Sequence, residues 1–273
     1  MIGLGLSIAG GSAVEASSQG NRNVPAFSNT KSLFLDGTGD SFAPGFTNAE
    51  KQAFFRDGFT ISFWATFNHN NNFWTVIGAD TTSGGARTSL LMRELNFGGG
   101  NLWYIEGRFN SQTWNTGFFA NGLTGDKTTW VHIALVVEKG ASSSDNNTFK
   151  FYQNSALLKE SNATTNANMS ATTWPTDVDL TFGALDSTGT PAQHGDMRID
   201  EVAFFDTALD ASNVEAIYNS GSTFDLTSAN GLYGSQANLI RYYRLEDNLT
   251  DSTGTTDGVT VGDPSFDSNT PDS

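Results

Sequence analysis

The chain has 273 residues, no cysteine and a formal charge of -15 at neutral pH. The missing cysteine excludes disulfides and thiol chemistry, and the negative charge disfavours nucleic acid and anionic membranes as partners, because both would repel the chain at long range. The composition is poor in Lys, Arg and Glu and rich in Asn, Thr, Ser and Gly, which favours strands joined by polar turns over long exposed helices.

The first 30 residues contain few apolar side chains, and these show neither a helical nor a strand period. Such a segment cannot bury enough surface to fold alone, so residues 1–30 are predicted to form a flexible arm that is either disordered or, as we favour, ordered by a partner. The short apolar run in MIGLGLSIAG has no basic residue before it, which argues against a signal peptide. No later run reaches the roughly 20 apolar residues of a membrane helix, so membrane insertion is not expected.

The first predicted strands lie on either side of Asp36-Gly37, a dipeptide typical of hairpin turns. Residues 44–57 are predicted as a loop that includes one helical turn. Residues 59–67 then read FTISFWATF, with Phe, Ile or Ala at every second position. A strand with this period of two places those residues on the core and Trp64 on the opposite face.

Residues 130–137 are apolar on both alternations, apart from His132. A strand of this kind is covered on both faces, which predicts a central position in its sheet and a buried, hydrogen-bonded His132. After a polar loop, two further predicted strands meet at the hairpin dipeptide Asn154-Ser155. There is no internal repeat of about 20 to 50 residues, which excludes a solenoid or a propeller.

The stretch from residue 195 to 221 changes from a strand pattern to a helical one. Met197 to Phe205 suit a pleated strand, and Asp210 then suits the N-cap of a short helix because its carboxylate can accept from free backbone N–H groups. One small apolar face of this helix is predicted to lie on a sheet. Gly221 is predicted to end the helix in the left-handed conformation.

The C-terminal region, residues 223–273, contains two further strand-like stretches within LIRYYRLEDNLTDSTG and DGVTVGDPSF. They pair either beside the first strands of the same chain or with a neighbouring subunit. The first alternative is favoured, because an unpaired sheet edge would be an aggregation hazard. Residues 246–273 contain seven acids and no base, which predicts a solvated acidic tail.

Four stretches occur in the order SLFLDGTGDSF (32–42), GFTISFWATF (58–67), TWVHIALVVE (129–138) and IDEVAFFDTALDASNVEAIYNSG (199–221). Together they resemble the laminin-G-like, or concanavalin-A-like, jelly-roll domains. The resemblance implies an all-β fold, an antiparallel two-sheet jelly-roll sandwich with one short C-terminal helix. The expected organisation is the arm over 1–30, the jelly roll over 31–222, and returning strands with the acidic tail over 223–273.

Tryptophans outside the core pattern suggest carbohydrate binding as a function. Trp64 faces away from the core, and Trp103 and Trp114 lie near Gly-rich or Asn-rich loops. A flat aromatic face stacks on the C–H patches of a sugar, so these three are the candidate glycan-binding residues. The alternative is that the rings pack beneath loops or at subunit contacts, as aromatic side chains commonly do.

Four aspartates, Asp36, Asp40, Asp186 and Asp200, are the candidate ligands of a calcium ion. Calcium takes several oxygen ligands, and proteins of the resembled fold often bind it near one rim. The alternative for Asp200 is a carboxylate that accepts hydrogen bonds at a strand end. The spacing of a dedicated calcium loop is missing, and no cofactor is required by the sequence.

A glycoside hydrolase would need two carboxylates about 5 to 9 Å apart across the scissile bond. Strand parity places the adjacent Asp200 and Glu201 on opposite faces, with Asp200 on the core side, while Glu94 and Glu106 stand alone. The sequence therefore predicts a protein that is not an enzyme, and a glycoside hydrolase is the less favoured alternative.

As a whole the chain resembles virion proteins of marine bacteriophages, which combine this domain with a Gly-rich leader, no cysteine and a similar tail. The resemblance implies a structural protein located in the virion, in a fibre, a tail appendage or a capsid decoration, with a lectin-like domain for host glycan. Expected partners are other virion proteins, contacted through the arm, a cell-surface glycan, and further copies of the chain in a homo-oligomer. The alternative is a free bacterial carbohydrate-binding or adhesin module outside the cell.

Overall fold

The computed structural model describes residues 27–68, 74–83, 86–97, 100–109, 112–120, 126, 128–141, 147–162, 174, 176, 178–186 and 189–273. The backbone alone is described for 81–83, 86–89, 94–97, 100–103, 106–109, 112–120 and 161–162. Most of the predicted arm, residues 1–26, lies outside the described residues. No helix in the described ranges has the length and apolar character needed to span a membrane.

Two β-sheets account for most of the described chain. Sheet A contains eight strands: β1 (Ser32–Asp36), β3 (Phe59–Phe67), β8 (Val131–Glu138), β9 (Thr148–Gln153), β10 (Ala156–Asn162), β14 (Asp196–Phe205), β15 (Leu239–Tyr243) and β17 (Ser265–Asp267). Sheet B contains nine: β2 (Ser41–Ala43), β4 (Trp74–Ser83), β5 (Ala86–Phe97), β6 (Gly100–Phe109), β7 (Gln112–Ala120), β11 (Thr181–Phe182), β12 (Leu185–Asp186), β13 (Pro191–Ala192) and β16 (Val259–Val261).

The strand order is that of a sandwich whose strands change sheets. Sheet A runs β10-β9-β8-β3-β14-β1-β17, with β15 also paired to β14, and sheet B runs β16-β2-β11-β4-β5-β6-β7. The pairings are antiparallel, except that β12 joins β4 in parallel through one residue pair. The first four strands alternate between the sheets, as in a jelly roll. The predicted all-β, two-sheet jelly roll with a short C-terminal helix is therefore confirmed.

The core between the sheets is formed by alternate side chains of both. The core residues from β3 are those that the period of two predicts, and all are fully buried: Phe59, Ile61, Phe63, Ala65 and Phe67. Strands β4 to β6 contribute from the other side with Val76, Ile77, Leu90, Met92 and Ile105.

Strand β8 is buried on both faces, as its apolar sequence predicts. Its alternate residues enter the core between the sheets, while Ala134 and Val136 join a second apolar cluster on the outer face of sheet A. The second cluster is closed by Val214 and Ile217 of helix α2 (Ala211–Tyr218) and by Tyr233 from the following loop. Sheet A is therefore covered on both sides at its centre.

The two α-helices among the described residues begin as their sequences suggest. Asp210 caps α2 by accepting from the Asn213 N–H at 2.8 Å, as predicted. The residue that ends α2 is Asn219, with φ of 47°, rather than the predicted Gly221, because asparagine also tolerates the left-handed conformation. The predicted helical turn after β2 is helix α1 (Asn48–Phe54).

The C-terminal strands return to both sheets of the same chain. β15 pairs with β14, β16 with β2, and β17 with β1. The described start of the chain lies against this segment, since the Thr30 N–H donates to Glu246 at 2.8 Å and Arg244 donates to the Ser28 carbonyl. The start of the described chain is therefore held by the segment that follows β15.

Candidate functional site

An open cavity of about 490 Å³ lies beside α1, where β14 ends and β15 begins. We name it the α1 cavity. Its wall comes from the loop before α1, from α1 itself, from the ends of β14 and β15, and from the loop after β15. The residues that line it are Phe46, Glu50, Ala53, Phe54, Asp57, Asp206, Ile240, Arg241 and Thr255.

The floor of the α1 cavity is apolar and held by ring contacts. Phe46 and Phe54 stack with centroids 5.5 Å apart and planes at 25°. The Arg241 guanidinium lies 5.1 Å from the Phe46 centroid, within the range of a cation–π contact. Both phenylalanines also belong to the core between the sheets. The floor is therefore continuous with the close-packed core between the sheets.

Arg241 is buried, and neighbouring acids neutralise its charge. Its Nη2 donates to Glu50 Oε1 at 2.5 Å, and its Nε lies 3.6 Å from Asp251 Oδ2. Glu50 also accepts from the Thr47 N–H and hydroxyl at 2.8 Å, in a capping box that starts α1. Partial burial acts to raise the pKa of Glu50, but the bonds from Thr47 and Arg241 outweigh it and lower that pKa. Glu50 is therefore a stable carboxylate in the wall.

Two more carboxylates, Asp57 and Asp206, stand at the mouth of the cavity and are exposed. Asp57 pairs with Lys139 at 2.6 Å, and Asp206 accepts from the Asn238 amide at 3.1 Å. Thr255, also exposed, adds a hydroxyl to the lining. The cavity therefore combines an apolar floor with several hydrogen-bond acceptors at its mouth.

A second group of carboxylates occupies the outer face of sheet A, where β14 is irregular. Asp200 pairs with Trp64 but Ala203 pairs with Ser62, so β14 has one residue more than β3 over this interval. Glu201 has φ of 51°, as expected for a β-bulge. The bulge breaks the alternation, and the parity prediction is wrong: Asp200 is on the face of Trp64, away from the core between the sheets.

The bulged carboxylates are buried and contact Asn29, near the start of the described residues, and the segment around the end of β15. Glu201 accepts from the Tyr242 hydroxyl and from Asn29 Nδ2 at 3.3 Å, and its Oε1 lies 3.8 Å from Arg244 Nε. Asp200 Oδ1 accepts from the Glu201 N–H at 2.9 Å. Burial raises the pKa of both carboxyls well above their usual values, the negative charge of Asp200 raises that of Glu201 further, and Arg244 acts in the opposite direction.

Glu201 also borders a small cavity that it shares with Ser62, Trp64 and His132. The space is about 10 Å³, room for one water at most. His132 Nε2 lies 2.8 Å from Ser62 Oγ, and burial lowers the pKa of His132 to about 3, so the ring is neutral. The predicted buried, hydrogen-bonded His132 is confirmed. We name Asp200, Glu201, Trp64, His132 and Arg244 the covered cluster.

Trp64 points away from the core between the sheets, as predicted, but it is only 5% exposed. Its ring stacks on Tyr218 of α2 with centroids 5.8 Å apart and lies 5.3 Å from His132. A ring covered in this way has no free face for a sugar, so the structure does not support Trp64 as a glycan-binding residue. Trp103 and Trp114 lie in β6 and β7, and their side chains are outside the described residues.

The four predicted calcium ligands do not form one site. Asp36 and Asp40 lie together, the Asp36 N–H donating to Asp40 Oδ2 at 3.1 Å. Asp186 is in sheet B, where it accepts from the Asp179 N–H at 2.8 Å, and Asp200 is in sheet A. Among the residues that the structure describes, no three His, Cys, Asp or Glu side chains are grouped to hold a metal ion.

Sequence reasoning missed the α1 cavity because its wall is assembled from distant parts of the chain. The one local signal is the pattern Thr47-x-x-Glu50, which is typical of a capping box and indicates where α1 starts. It does not indicate that residues near 206, 240 and 255 return to the same helix.

Several solved structures are similar in fold. A candidate carbohydrate binding protein from Bacteroides ovatus ATCC 8483 has a TM-score of 0.58 and 15% identity, covering 89% of this chain and 60% of its own. The carbohydrate-binding module CBM40 of a Ruminococcus gnavus IT-sialidase has a TM-score of 0.51 and 14% identity, covering 70% of this chain and 99% of the module. The enzymatically active domain of bacteriophage CBA120 tailspike protein 2 has a TM-score of 0.51 and 13% identity. The match covers 79% of this chain and 29% of the tailspike chain.

The TM-scores show a shared fold, and at 13–15% identity they show the fold alone. The chain spans 60% of the Bacteroides ovatus protein and less than a third of the tailspike domain. None of the curated protein sequences compared with the chain is a match. The family model of the concanavalin A-like lectin/glucanases superfamily matches residues 30–215, more than half of the chain. The β-sandwich described above therefore belongs to the concanavalin A-like lectin/glucanases superfamily.

Proposed function

We propose that this protein is a non-enzymatic carbohydrate-binding protein whose ligand occupies the α1 cavity. The observation that carries the proposal is the cavity itself, about 490 Å³ with an aromatic floor and polar groups around an open mouth. A concave, largely apolar site with a few convergent polar groups is the usual form of a small-ligand site.

The chemistry of the lining suits a sugar. C–H groups of a pyranose can pack on Ile240, which is partly exposed, and against the small exposed parts of Phe46 (8%) and Phe54 (4%), although neither ring offers a free face. Sugar hydroxyls can donate to the carboxylates of Asp57 and Asp206, and Thr255 can donate or accept. Support also comes from the fold relatives, two of which are described as carbohydrate-binding.

The proposal is of binding without hydrolysis. A glycoside hydrolase requires a carboxylic acid with a raised pKa beside the scissile bond. Among the described residues, burial raises the pKa of Asp200 and Glu201, and neither of them lines the α1 cavity. Glu201 faces a space that holds one water at most, and Asp200 is fully buried, so no saccharide reaches either carboxyl in this arrangement. Incubation with polysaccharides should release no reducing ends.

A glycan array tests the binding proposal with a cavity-filling variant. Ala53 is exposed on α1 and lines the cavity, so Ala53→Trp places a ring in the binding space at a small cost in helix stability. Ala211→Trp is the matched control, because Ala211 is an exposed helical alanine outside the cavity. We expect wild type and Ala211→Trp to bind the same saccharides and Ala53→Trp to bind none. Equal binding by all three would contradict the proposed site.

The finer proposal is that the protein is displayed on a bacteriophage particle and presents this site to a host glycan. The resemblance of the whole chain to virion proteins supports it, as does the fold shared with a tailspike domain. In this proposal residues 1–30 attach the protein to other virion proteins, and copies assemble as a homo-oligomer.

Mass spectrometry of purified particles tests the location. We expect peptides of this chain at a constant ratio to the major capsid protein, and loss of that signal when residues 1–26 are deleted. Recovery of the protein from a bacterial cell surface, with none on particles, would favour a free adhesin module instead.

A further inference from the structure

We propose that the α1 cavity selects saccharides that carry a free amino group and rejects acidic saccharides. This inference rests on the proposed function and adds the chemical class of the ligand. It follows from the sign and the availability of the charges around the cavity.

The charges around the α1 cavity are mainly negative. Its lining contains three carboxylates, Glu50, Asp57 and Asp206, and one guanidinium, that of Arg241, which leaves a formal charge of -2. Including the ion-pair partners Asp251 and Lys139 leaves the balance unchanged, since one is an acid and the other a base. A cationic ligand is therefore attracted to the site, and an anionic one is repelled.

The one cation of the lining is not available to an acidic sugar. Arg241 is 3% exposed and already faces Glu50, Asp251 and the Ile240 carbonyl. An incoming carboxylate would have to displace a bond that Arg241 makes in the folded protein, and this displacement costs free energy.

The accessible carboxylates, by contrast, have unused accepting capacity. Asp206 is exposed, accepts from the Asn238 amide and has no ion-pair partner among the described residues. Asp57 is 71% exposed and meets Lys139 through one oxygen. An ionised carboxylate only accepts hydrogen bonds, so both prefer an ammonium to a hydroxyl and a hydroxyl to a carboxylate.

The net charge of the whole protein acts in the same direction. A formal charge of -15 repels acidic glycans and attracts amines before contact. The fold relative CBM40 has been solved bound to α2,3-sialyllactose, an acidic saccharide. Our inference predicts the opposite preference for this chain, although the two sandwiches share a fold.

Two matched sugar series test the selectivity. We would titrate glucose, glucosamine, N-acetylglucosamine and glucuronic acid, and the four galactose counterparts, by protein NMR at low salt and mildly acidic pH, where the amine is protonated. We expect the amino sugar of at least one series to bind about two- to fivefold more tightly than its neutral parent for each carboxylate engaged. We expect no binding of either uronic acid, and a weaker preference at high salt.

Charge-neutral variants locate the effect. Asp57→Asn and Asp206→Asn keep the shape of the side chain and remove the charge, so each should lower the affinity for the amino sugar and leave that for the neutral sugar nearly unchanged. Glu215→Gln is the control, because it removes one exposed charge on α2, away from the cavity.

The possible outcomes separate the two proposals. One outcome is that Ala53→Trp abolishes binding but the wild type binds neutral or acidic sugars at least as tightly as amino sugars. That outcome overturns the selectivity and leaves the proposed function intact. An amine preference that survives both aspartate variants also overturns it. Failure of every sugar to bind, here and on the array, overturns the proposed function and the selectivity together.

Discussion

The α1 cavity and the covered cluster contain the same kinds of side chain, namely carboxylates, an arginine and aromatic rings. They differ in what lies above them. The α1 cavity is an open space of about 490 Å³, whereas Tyr218 of α2, Asn29 and Tyr242 lie against the covered cluster and leave about 10 Å³. In the first, exposed carboxylates remain ready to accept from a ligand. In the second, burial raises the pKa of the carboxyls, and their hydrogen bonds join segments of the protein.

The comparison shows that residue type alone does not distinguish a recognition site from a structural one. Trp64 has the side chain expected of a sugar platform and lies where parity predicts, yet Tyr218 covers it. Phe46 and Phe54 look like ordinary core residues and form the floor of the open site. Changes in the covered cluster should therefore alter stability without altering binding, and changes at the mouth of the α1 cavity should do the reverse.

The largest expected effect comes from Trp64→Ala. Removing this buried ring deletes its contacts with Tyr218 and His132 and leaves a cavity, so the free energy of unfolding should fall by about 3–5 kcal/mol. Denaturant unfolding measures the change. Trp130→Ala is the control, with a smaller expected loss because Trp130 is partly exposed. Stability equal to wild type, combined with lost saccharide binding, would show that Trp64 contacts the sugar after all.

The second effect is a loss of stability as the pH rises. Burial raises the folded-state pKa values of Asp200 and Glu201. The negative charge of Glu246 raises both values further, and that of Asp272 raises the pKa of Glu201, whereas the positive charge of Arg244 lowers both. Between the unfolded pKa, near 4, and the raised values, the folded state binds more protons than the unfolded chain. Stability from this source is full below about pH 4 and falls with rising pH, by at most about 1.4 kcal/mol per pH unit for each group.

Glu201→Gln isolates this pH effect. It removes one titrating group and keeps an oxygen that can accept from Tyr242, so unfolding free energies measured from mildly acidic to alkaline pH should vary less than in wild type. His132 acts oppositely at acidic pH, because its pKa, lowered to about 3 from about 6.5, makes the unfolded chain bind more protons there. Both proteins contain His132, so the difference between their curves reports Glu201. Parallel curves would contradict the prediction.

Much of the fold could be predicted from the sequence where one local rule decides. The period of two in β3, the apolar run of β8 and the Asp210 cap each follow from side-chain spacing, and the structure has them as predicted. The same rule fails at Asp200 and Glu201, because parity assumes that every residue advances the strand by one step. A bulge with Glu201 at φ of 51° breaks that assumption and leaves no clear mark in the sequence.

The candidate site could not be predicted from local patterns, since it depends on which distant segments meet. α1 was expected only as one helical turn, and its cavity exists because β15 returns beside β14 and brings Arg241 to Glu50. The covering of Trp64 has the same origin, since it depends on where α2 lies rather than on β3 itself.

The third effect is moderate and lies at the wall of the α1 cavity. Glu50→Gln removes one of the two ion-pair partners of Arg241 but keeps an amide that can complete the capping box. Because Glu50 is partly exposed, we expect a loss of about 1 kcal/mol, measured as a lower Tm, against no change for Glu215→Gln. A loss as large as that of Trp64→Ala would mean that this wall is as structural as the covered cluster.

The smallest expected effect on stability is that of Asp57→Asn and Asp206→Asn. Both side chains are exposed at the mouth of the cavity, and solvent screens the one ion pair there, Asp57 with Lys139. Each variant should unfold within about 0.5 kcal/mol of wild type in denaturant. A change in amino-sugar affinity without a change in stability would show that these charges face a ligand. A clear loss of stability would instead place them with the buried carboxyls, whose role is to hold the protein together.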